Sequence, residues 1–240
     1  MASSRLPGKV LSDIGGKAML HHVVDAARAA QLFDQITVAT DSEEVIKYCD
    51  KHQIACELTL ATHTSGTERV AELALRSEAE AIVNLQADEP FISIEALQQI
   101  YTCIQQPHVQ IASLCCPVAT TEALLDYNVV KVTKTVAGEA LYFSRQAIPA
   151  HRDRPYREWL ERTPYYQHLG VYAYKRQTLE QIVTLPTSPL AVAESLEQLT
   201  WLEHGYTVHL AEVATSSLGV DTPEDLAAVR KHYKYVLSKK

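Results

Sequence analysis

Hydrophobic residues alternate between two spacings along the first half of the chain. Apolar positions three and four residues apart are typical of amphipathic helices, and they predict helices over 17–32, 43–52, 68–76 and 94–104. Short continuous apolar runs are typical of buried strands, and they predict strands over 35–40, 54–58 and 81–85. This alternating order predicts an α/β fold with a parallel sheet and helices on both faces.

The pattern becomes less regular beyond this region. Strands are expected over 110–118, 129–135, 140–144 and 168–174, and a loop or short irregular helix over 149–164. We expect these strands to form a smaller, partly antiparallel extension, about 110–175, within a single domain that spans 1–240. The α/β order then returns, with helices over 176–184, 192–203 and 222–235 and a strand over 207–213. Thr67 and Thr222 are predicted to cap the helices that follow them.

Composition excludes several classes of protein. The chain has 240 residues and a formal net charge of −7, which argues against binding nucleic acid polymers or anionic membranes. No apolar run approaches the roughly 20 residues of a membrane span, and the start has no signal-peptide core. The five cysteines form no C-x-x-C pair, so we expect reduced thiols and a cytoplasmic protein.

The stretch 3–9 is the first candidate site. Ser3, Ser4, Arg5 and Lys9 surround a Pro-Gly turn, and such a cationic, hydroxyl-rich loop suits a polyphosphate. A phosphate loop in an α/β protein normally leaves a strand, whereas only two residues precede this one. Dinucleotide, Walker and nucleophile-elbow motifs are absent, so common oxidoreductase, P-loop kinase and hydrolase functions lack their markers.

Two acidic residues stand out by position. Asp88 follows a predicted strand, and Asp221 lies between a strand and the last helix, so both are expected at the carboxyl edge of the sheet. Two carboxylates beside a polyphosphate are a usual way to hold Mg²⁺. The alternative is that Asp88 ends a turn and Asp221 assists a helix start.

A polar aromatic face is expected on the strand over 168–174. His168, Tyr172 and Tyr174 alternate there and therefore share one face, which suits a sugar. An amphipathic strand with solvated hydroxyls is the alternative. Arg152 and Arg154, in the preceding loop, fit either a solvated charged surface or an anion clamp.

Nine motifs in order resemble one enzyme family, the 3-deoxy-D-manno-octulosonate (Kdo) cytidylyltransferases, also called CMP-Kdo synthetases. The motifs are S-S-R-L-P-G-K (3–9), V-A-T-D (38–41), S-G-T-E-R (65–69), N-L-Q-A-D-E-P (84–90), N-V-V-K-V (128–132), L-Y-F-S-R-Q-A-I-P (141–149), H-L-G-V-Y-A-Y (168–174), L-E-Q-L (196–199) and G-V-D-T-P-E-D-L (219–226).

The resemblance implies a nucleotide-diphospho-sugar transferase fold, with a mixed sheet, and a homodimer. It implies a Mg²⁺-dependent reaction in which CTP and Kdo give CMP-Kdo and pyrophosphate for lipopolysaccharide biosynthesis. The residues it implies for nucleotide binding are Ser3, Ser4, Arg5, Lys9, Ser65, Gly66, Thr67 and Arg69. Those implied for the sugar acid are Gln86, Arg152, His168, Tyr172, Glu197 and Gln198. Lys9, Arg5 and Asp88 are the implied catalytic groups, and Asp88 and Asp221 the implied metal ligands.

The chain also departs from the family pattern. Ala87 replaces a glycine, and Ala191 and Thr200 replace an acid and an arginine. The apolar strand and Pro-Ala-Arg that open family members are not seen before the loop. Two alternatives therefore stay open: a cytidylyltransferase for another sugar acid, such as 8-amino-Kdo or sialic acid, or an N-terminally truncated, inactive nucleotide-binding homologue.

Overall fold

The computed structural model describes residues 8–237, which divide into two compact units. Unit 1 comprises 8–78, 84–98 and 217–237, and unit 2 comprises 79–83 and 99–216. The helices are α1 (Met19–Ala30), α2 (Glu43–Lys51), α3 (Gly66–Ala74), α4 (Ile94–Gln105), α5 (Thr121–Leu125), α6 (Trp159–Arg162), α7 (Arg176–Ile182), α8 (Pro189–Glu194), α9 (Gln198–Glu203) and α10 (Pro223–Leu237). The strands are β1 (Asp13–Ile14), β2 (Lys17–Ala18), β3 (Val38–Thr40), β4 (Cys56–Leu58), β5 (Ala81–Asn84), β6 (Ile111–Pro117), β7 (Lys131–Lys134), β8 (Ala140–Ser144), β9 (Tyr166–Lys175) and β10 (Val208–Glu212).

Unit 1 begins with a small hairpin. A 3₁₀ turn, Lys9–Leu11, leads into β1, which pairs antiparallel with β2. Gly15 and Gly16 connect the two strands with φ of +63° and +93°, values that glycine adopts without a side-chain clash. This hairpin takes the first residues of the helix predicted over 17–32, so α1 begins at Met19.

The strands β3 and β4 pair in parallel as a separate two-stranded sheet. The expectation that the early strands continue into one parallel sheet is therefore wrong in detail. Buried residues of α1 and α2, among them Leu20, Val24, Val45 and Cys49, form the core that these strands cover. The helical spacing of those positions explains why the helices themselves are predicted well.

Unit 2 is built on a six-stranded mixed sheet, which confirms the α/β class. Its order is β10-β6-β9-β7-β8, and β5 also pairs with β9. The β10–β6 pair is parallel, whereas β6–β9, β9–β7 and β7–β8 are antiparallel. Residues 111–116 of β6 are all buried, which explains their continuous apolar run. The five cysteines form no disulfide within residues 8–237, and four of them are buried.

Three helix boundaries show where the sequence pattern succeeds and fails. Thr222 caps α10 as predicted, because its Oγ1 accepts a hydrogen bond from Asp225 N at 3.2 Å. The cap of α3 is Ser65 and not Thr67, since Ser65 Oγ accepts from Glu68 N at 3.1 Å. The single helix predicted over 192–203 is wrong: α8 ends at Glu194, and the next residue, Ser195, has a φ of +53° that breaks the helical path before α9.

A buried lysine joins three segments of unit 2. Lys131, in the N-V-V-K-V motif, is fully buried on β7. Its ammonium donates to the carbonyls of Asp126 at 2.8 Å, Val129 at 2.6 Å and Arg145 at 2.6 Å. Burial lowers the pKa of Lys131, and the carbonyl oxygens replace the water that a buried cation loses.

Replacing this lysine tests its structural role. Lys131→Met keeps the apolar stem but removes the ammonium that donates to three carbonyls, so we expect a loss of about 2–4 kcal/mol in the free energy of unfolding. Urea unfolding followed by tryptophan fluorescence measures it, because Trp159 and Trp201 both lie in unit 2. Lys134→Met on the same strand removes a partly exposed ion pair with Glu212 and should cost less than about 1 kcal/mol. Equal losses in the two variants would contradict this role.

Candidate functional site

Three distant segments of unit 1 converge on the ammonium of Lys9. Its Nζ donates to Asp88 Oδ2 at 2.6 Å, to Asp221 Oδ1 at 3.0 Å and to the carbonyl of Val220 at 3.1 Å. Asp88 follows β5, and Asp221 directly precedes the capped start of α10. The structure therefore brings these two carboxylates together, with the Lys9 ammonium between them.

Backbone contacts hold both carboxylates in place. Val220 N donates to the carbonyl of Asp88 at 3.0 Å, which ties the loop after β5 to the segment before α10. The amides of Asp221 and Thr222 donate to Asp225 Oδ2 at 3.0 and 2.9 Å. The helix start and the position of Asp221 are thus set by the same capping carboxylate.

This arrangement fits a cation. Burial lowers the pKa of Lys9, but its bonds to Asp88 and Asp221 outweigh that effect and leave the pKa raised, so the side chain is charged at neutral pH. Two carboxylates that share one ammonium also form an oxygen-rich donor set suited to Mg²⁺. Within residues 8–237, no group of three or more His, Cys, Asp or Glu side chains is placed to hold a metal ion, so a divalent ion at Asp88 and Asp221 would need waters or phosphate oxygens to complete its shell.

The segment that opens α3 forms a second part of unit 1. An alanine-sized side chain at Gly66 would lie 3.8 Å from the amide nitrogen of Gln86, so these two predicted binding residues are neighbours. Arg69 is buried and its guanidinium is engaged within the unit: Nη2 donates to Asp41 Oδ2 at 3.0 Å, and Nη1 to Thr59. Arg69 therefore braces the ends of β3 and β4 against α3. Asp41 belongs to the V-A-T-D motif, a signal from which sequence reasoning drew no role.

Unit 2 carries the predicted aromatic face. The rings of His168 and Tyr172 lie 5.3 Å apart, and Tyr172 stacks on Tyr174 at 5.9 Å, so the three side chains do share one face of β9. Trp201 of α9 contacts both tyrosines edge-on, at 5.1 and 5.7 Å. Trp201 was not predicted, because sequence spacing does not bring α9 to this strand.

The remaining predicted sugar-acid residues lie at two places in unit 2. Glu197 and Gln198 form the start of α9, and Gln198 is buried. The pKa of Tyr172 is raised well above its usual value, mainly by burial and also by the nearby charge of Glu197. Arg152 lies on an exposed loop, and its guanidinium has no hydrogen bond or ion pair within the described part of the chain. Arg154, by contrast, pairs with Glu158 at 3.7 Å, as a solvated surface residue does.

Ser3, Ser4 and Arg5 lie outside the described residues. Of the other nucleotide-site candidates, Lys9 joins the acidic pair, Ser65 caps α3, and Thr67 and Arg69 are buried in that helix. Within 8–237, every helix is too short or too polar to cross a bilayer.

Comparison with known proteins decides the family. A profile described as cytidylyltransferase matches residues 1–212. The 3-deoxy-manno-octulosonate cytidylyltransferase of Solibacter usitatus is 42% identical over 234 residues, which cover 97% of this chain and 91% of that protein. The enzyme of the same name from Geobacter sulfurreducens is 38% identical over 97% of this chain and 96% of its own length.

The chain belongs to the 3-deoxy-manno-octulosonate cytidylyltransferase family. A solved structure of CMP:2-keto-3-deoxy-manno-octonic acid synthetase complexed with CTP is 37% identical and superposes with a TM-score of 0.91, covering 97% of this chain and 94% of that one. A glucose-1-phosphate thymidylyltransferase from Bacillus anthracis shares the fold at 14% identity, with a TM-score of 0.66 over 98% and 92% of the two chains. The nucleotide-diphospho-sugar transferase fold is thus confirmed.

Two departures from the family pattern have structural roles here. Thr200 is buried, and its Oγ1 accepts a hydrogen bond from Ser188 N at 3.2 Å. Ser188 in turn caps α8 by accepting from Ala191 N at 3.3 Å. Ser188 and Thr200 therefore connect α8 to α9, the helix that begins with Glu197 and Gln198. Ala87 is partly buried and packs against the apolar cluster that contains Leu20 and Val24.

Proposed function

We propose that this chain is a Mg²⁺-dependent enzyme that transfers CMP from CTP to the C2 hydroxyl of Kdo, giving CMP-Kdo and pyrophosphate. The convergence of Asp88 and Asp221 on the Lys9 ammonium, at 2.6 and 3.0 Å, carries this proposal. It supplies the two oxygen ligands and the cation that a nucleoside triphosphate needs, in a chain that belongs to the cytidylyltransferase family. The identity of the sugar acid in this proposal is taken from the names of the relatives described above.

The proposed reaction is a displacement at phosphorus. The C2 oxygen of the sugar acid forms a bond to the α-phosphorus of CTP, the bond from that phosphorus to the oxygen that bridges it to the β-phosphorus breaks, and the hydroxyl proton passes to solvent. Negative charge therefore moves toward the departing pyrophosphate. Catalysis consists mostly of alignment and of placing positive charge beside the leaving group.

The residues of unit 1 have distinct roles in this proposal. Asp88 and Asp221 would hold Mg²⁺, which neutralises phosphate oxygens when bound. Lys9 contributes a second, fixed positive charge at the same place, and Arg5 is proposed to act with it on the triphosphate. Ser65 to Arg69 form the rim of the nucleotide site, where Arg69 supports the loop ends and the polar start of α3 faces the nucleotide.

The residues of unit 2 are proposed to bind the sugar acid. Tyr172 and His168 present ring surface and polar atoms, which suits a carbohydrate. Glu197 and Gln198 would accept or donate hydrogen bonds to its hydroxyls, and Gln86 of unit 1 is assigned the same task. Arg152, which has no partner among residues 8–237, would pair with the carboxylate. The product is an activated sugar for lipopolysaccharide biosynthesis, made in the cytoplasm.

Pyrophosphate release tests the proposed function. With CTP, Kdo and Mg²⁺, the wild-type chain should release pyrophosphate at a rate that EDTA abolishes. Asp221→Asn removes one charge of the acidic pair and should lower kcat/KM by about 100-fold or more. Glu224→Gln, an exposed carboxylate at the same helix start, is the matched control and should retain activity.

Three outcomes would contradict the assignment. No release above a control without sugar would remove the proposed activity and favour an inactive nucleotide-binding homologue. Faster release with 8-amino-Kdo or sialic acid, in competition at limiting CTP, would correct the substrate. Equal activity of Asp221→Asn and Glu224→Gln would remove Asp221 from the metal site.

The proposed assembly is a homodimer formed through unit 2. Leu141 on the edge strand β8 and Val192 on α8 are 60% and 67% exposed, and a hydrogen bond of 2.6 Å from Ser144 Oγ to Glu194 Oε1 joins these two elements. Arg145, just after β8, donates to the carbonyls of Tyr127 at 3.0 Å and Ser195 at 3.4 Å and so draws these segments together. A second copy of the chain is the occupant that the family resemblance favours.

Sedimentation velocity tests this dimer. The wild-type chain should sediment as a dimer, and the double variant Leu141→Glu/Val192→Glu as a monomer, because two buried charges would be unpaired in the interface. Val136→Glu, at the fully exposed tip of the β7–β8 hairpin, is the control and should leave the dimer intact. A monomeric wild type, or a double variant that stays dimeric, would contradict the proposal.

A further inference from the structure

A buried serine lies behind the predicted sugar-binding histidine. Ser113, on β6, is fully buried, and its Oγ lies 2.8 Å from His168 Nε2. The same Oγ lies 2.8 Å from the carbonyl oxygen of Val171 and 3.3 Å from that of Leu169. The β6–β9 register shifts between Ser113 and Leu114, and this irregularity brings two carbonyls of β9 to one hydroxyl.

The hydrogen atoms available determine the tautomer of His168. A serine hydroxyl has one proton, and a carbonyl oxygen can only accept. If Ser113 donates to Val171 O, its Oγ can serve His168 only as an acceptor, so Nε2 must carry the imidazole proton. If Ser113 donated to Nε2 instead, the carbonyl of Val171 would lose this hydrogen bond, and leaving a buried acceptor without a donor costs roughly 1–3 kcal/mol. The first arrangement gives the nearer carbonyl, Val171 O, its donor and bonds the imidazole as well, and it leaves Nδ1 without a proton.

The surroundings of His168 keep the ring neutral and fixed. Burial lowers the pKa of His168 to about 3. Phe143 contacts the ring edge-on at 4.9 Å, Tyr172 lies at 5.3 Å, and the backbone amide of His168 donates to Val130 O at 2.8 Å. Cys115, paired with His168 across the sheet, has a pKa raised by burial to about 12 and is uncharged too. The imidazole makes no other hydrogen bond within the described part of the chain.

We propose that Ser113 is a positioning residue that holds His168 as its Nε2–H tautomer, so that Nδ1 accepts a hydrogen bond from a hydroxyl of the sugar acid. The contact with the sugar rests on the proposed function, whereas the tautomer rests on the described geometry alone. An acceptor at this place selects a substrate group that carries a proton and disfavours a group that can only accept. Ser113 thereby affects sugar specificity without touching the sugar.

Nitrogen-15 NMR of the full chain tests the tautomer directly. Histidine-labelled protein is compared with His168→Gln to identify the His168 signals, whose two ring nitrogens report which one is protonated. We expect the wild type at pH 7 to show a neutral ring protonated at Nε2. Ser113→Ala should lose this single state, and Ser113→Thr, which keeps a hydroxyl, should restore it. A wild-type ring protonated at Nδ1, or a spectrum unchanged in Ser113→Ala, would overturn the proposal.

Steady-state kinetics test the consequence for the sugar. Ser113→Ala should raise KM for Kdo by about 10-fold, the effect of one impaired hydrogen bond, and change KM for CTP by less than about 2-fold. Ser113→Thr should return KM for Kdo toward the wild-type value. Equal changes in both KM values would assign Ser113 a general structural role and overturn the proposal. Thermal unfolding and CTP binding of each variant establish that it is folded.

The two experiments separate the two proposals. Absence of pyrophosphate release by the wild type would refute the proposed function, and the NMR spectra would still confirm or overturn the tautomer. Activity with Kdo but no change of its KM in Ser113→Ala would overturn the positioning role and leave the proposed function standing.

Discussion

The contact on which unit 1 depends is the bonding of one ammonium by two carboxylates. Asp88 and Asp221 both lie within 3.0 Å of Lys9 Nζ, so their negative charges would repel each other if that cation were not between them. Lys9 supplies that cation, and in doing so it joins the start of the described chain to the loop after β5 and to the start of α10. Because the two carboxylates need a positive charge beside them, this place suits a bound metal ion together with a triphosphate.

Two of the candidate sugar-binding side chains of unit 2 are neutral, whereas the groups around Lys9 in unit 1 are charged. His168 and Tyr172 are both uncharged near pH 7, because burial lowers the pKa of the first and raises that of the second. The buried ammonium of Lys131 on β7 donates to three carbonyl oxygens. Neutral, fixed hydrogen-bonding groups suit a sugar, whose hydroxyls are distinguished by geometry more than by charge.

Much of this could be read from the sequence, and the limits have physical causes. The order of helices and strands follows from apolar spacing, and the meeting of Asp88 with Asp221 follows from their places at strand ends. The break at Ser195 could not be foreseen, because a non-glycine residue with positive φ leaves no local signal. Three contacts could not be predicted: Lys9 with the two carboxylates, Arg69 with Asp41, and Ser113 with His168. They depend on strand register and tertiary packing, which the local sequence pattern does not determine.

Calorimetric titration of CTP tests the central claim most directly, which is that the acidic pair with Lys9 is a metal and triphosphate site. With Mg²⁺ present we expect micromolar binding, and with EDTA binding weaker by about 10-fold or more, since the carboxylates then repel the phosphates. Equal affinity in the two conditions, or no binding by the 240-residue chain in either, would contradict the claim.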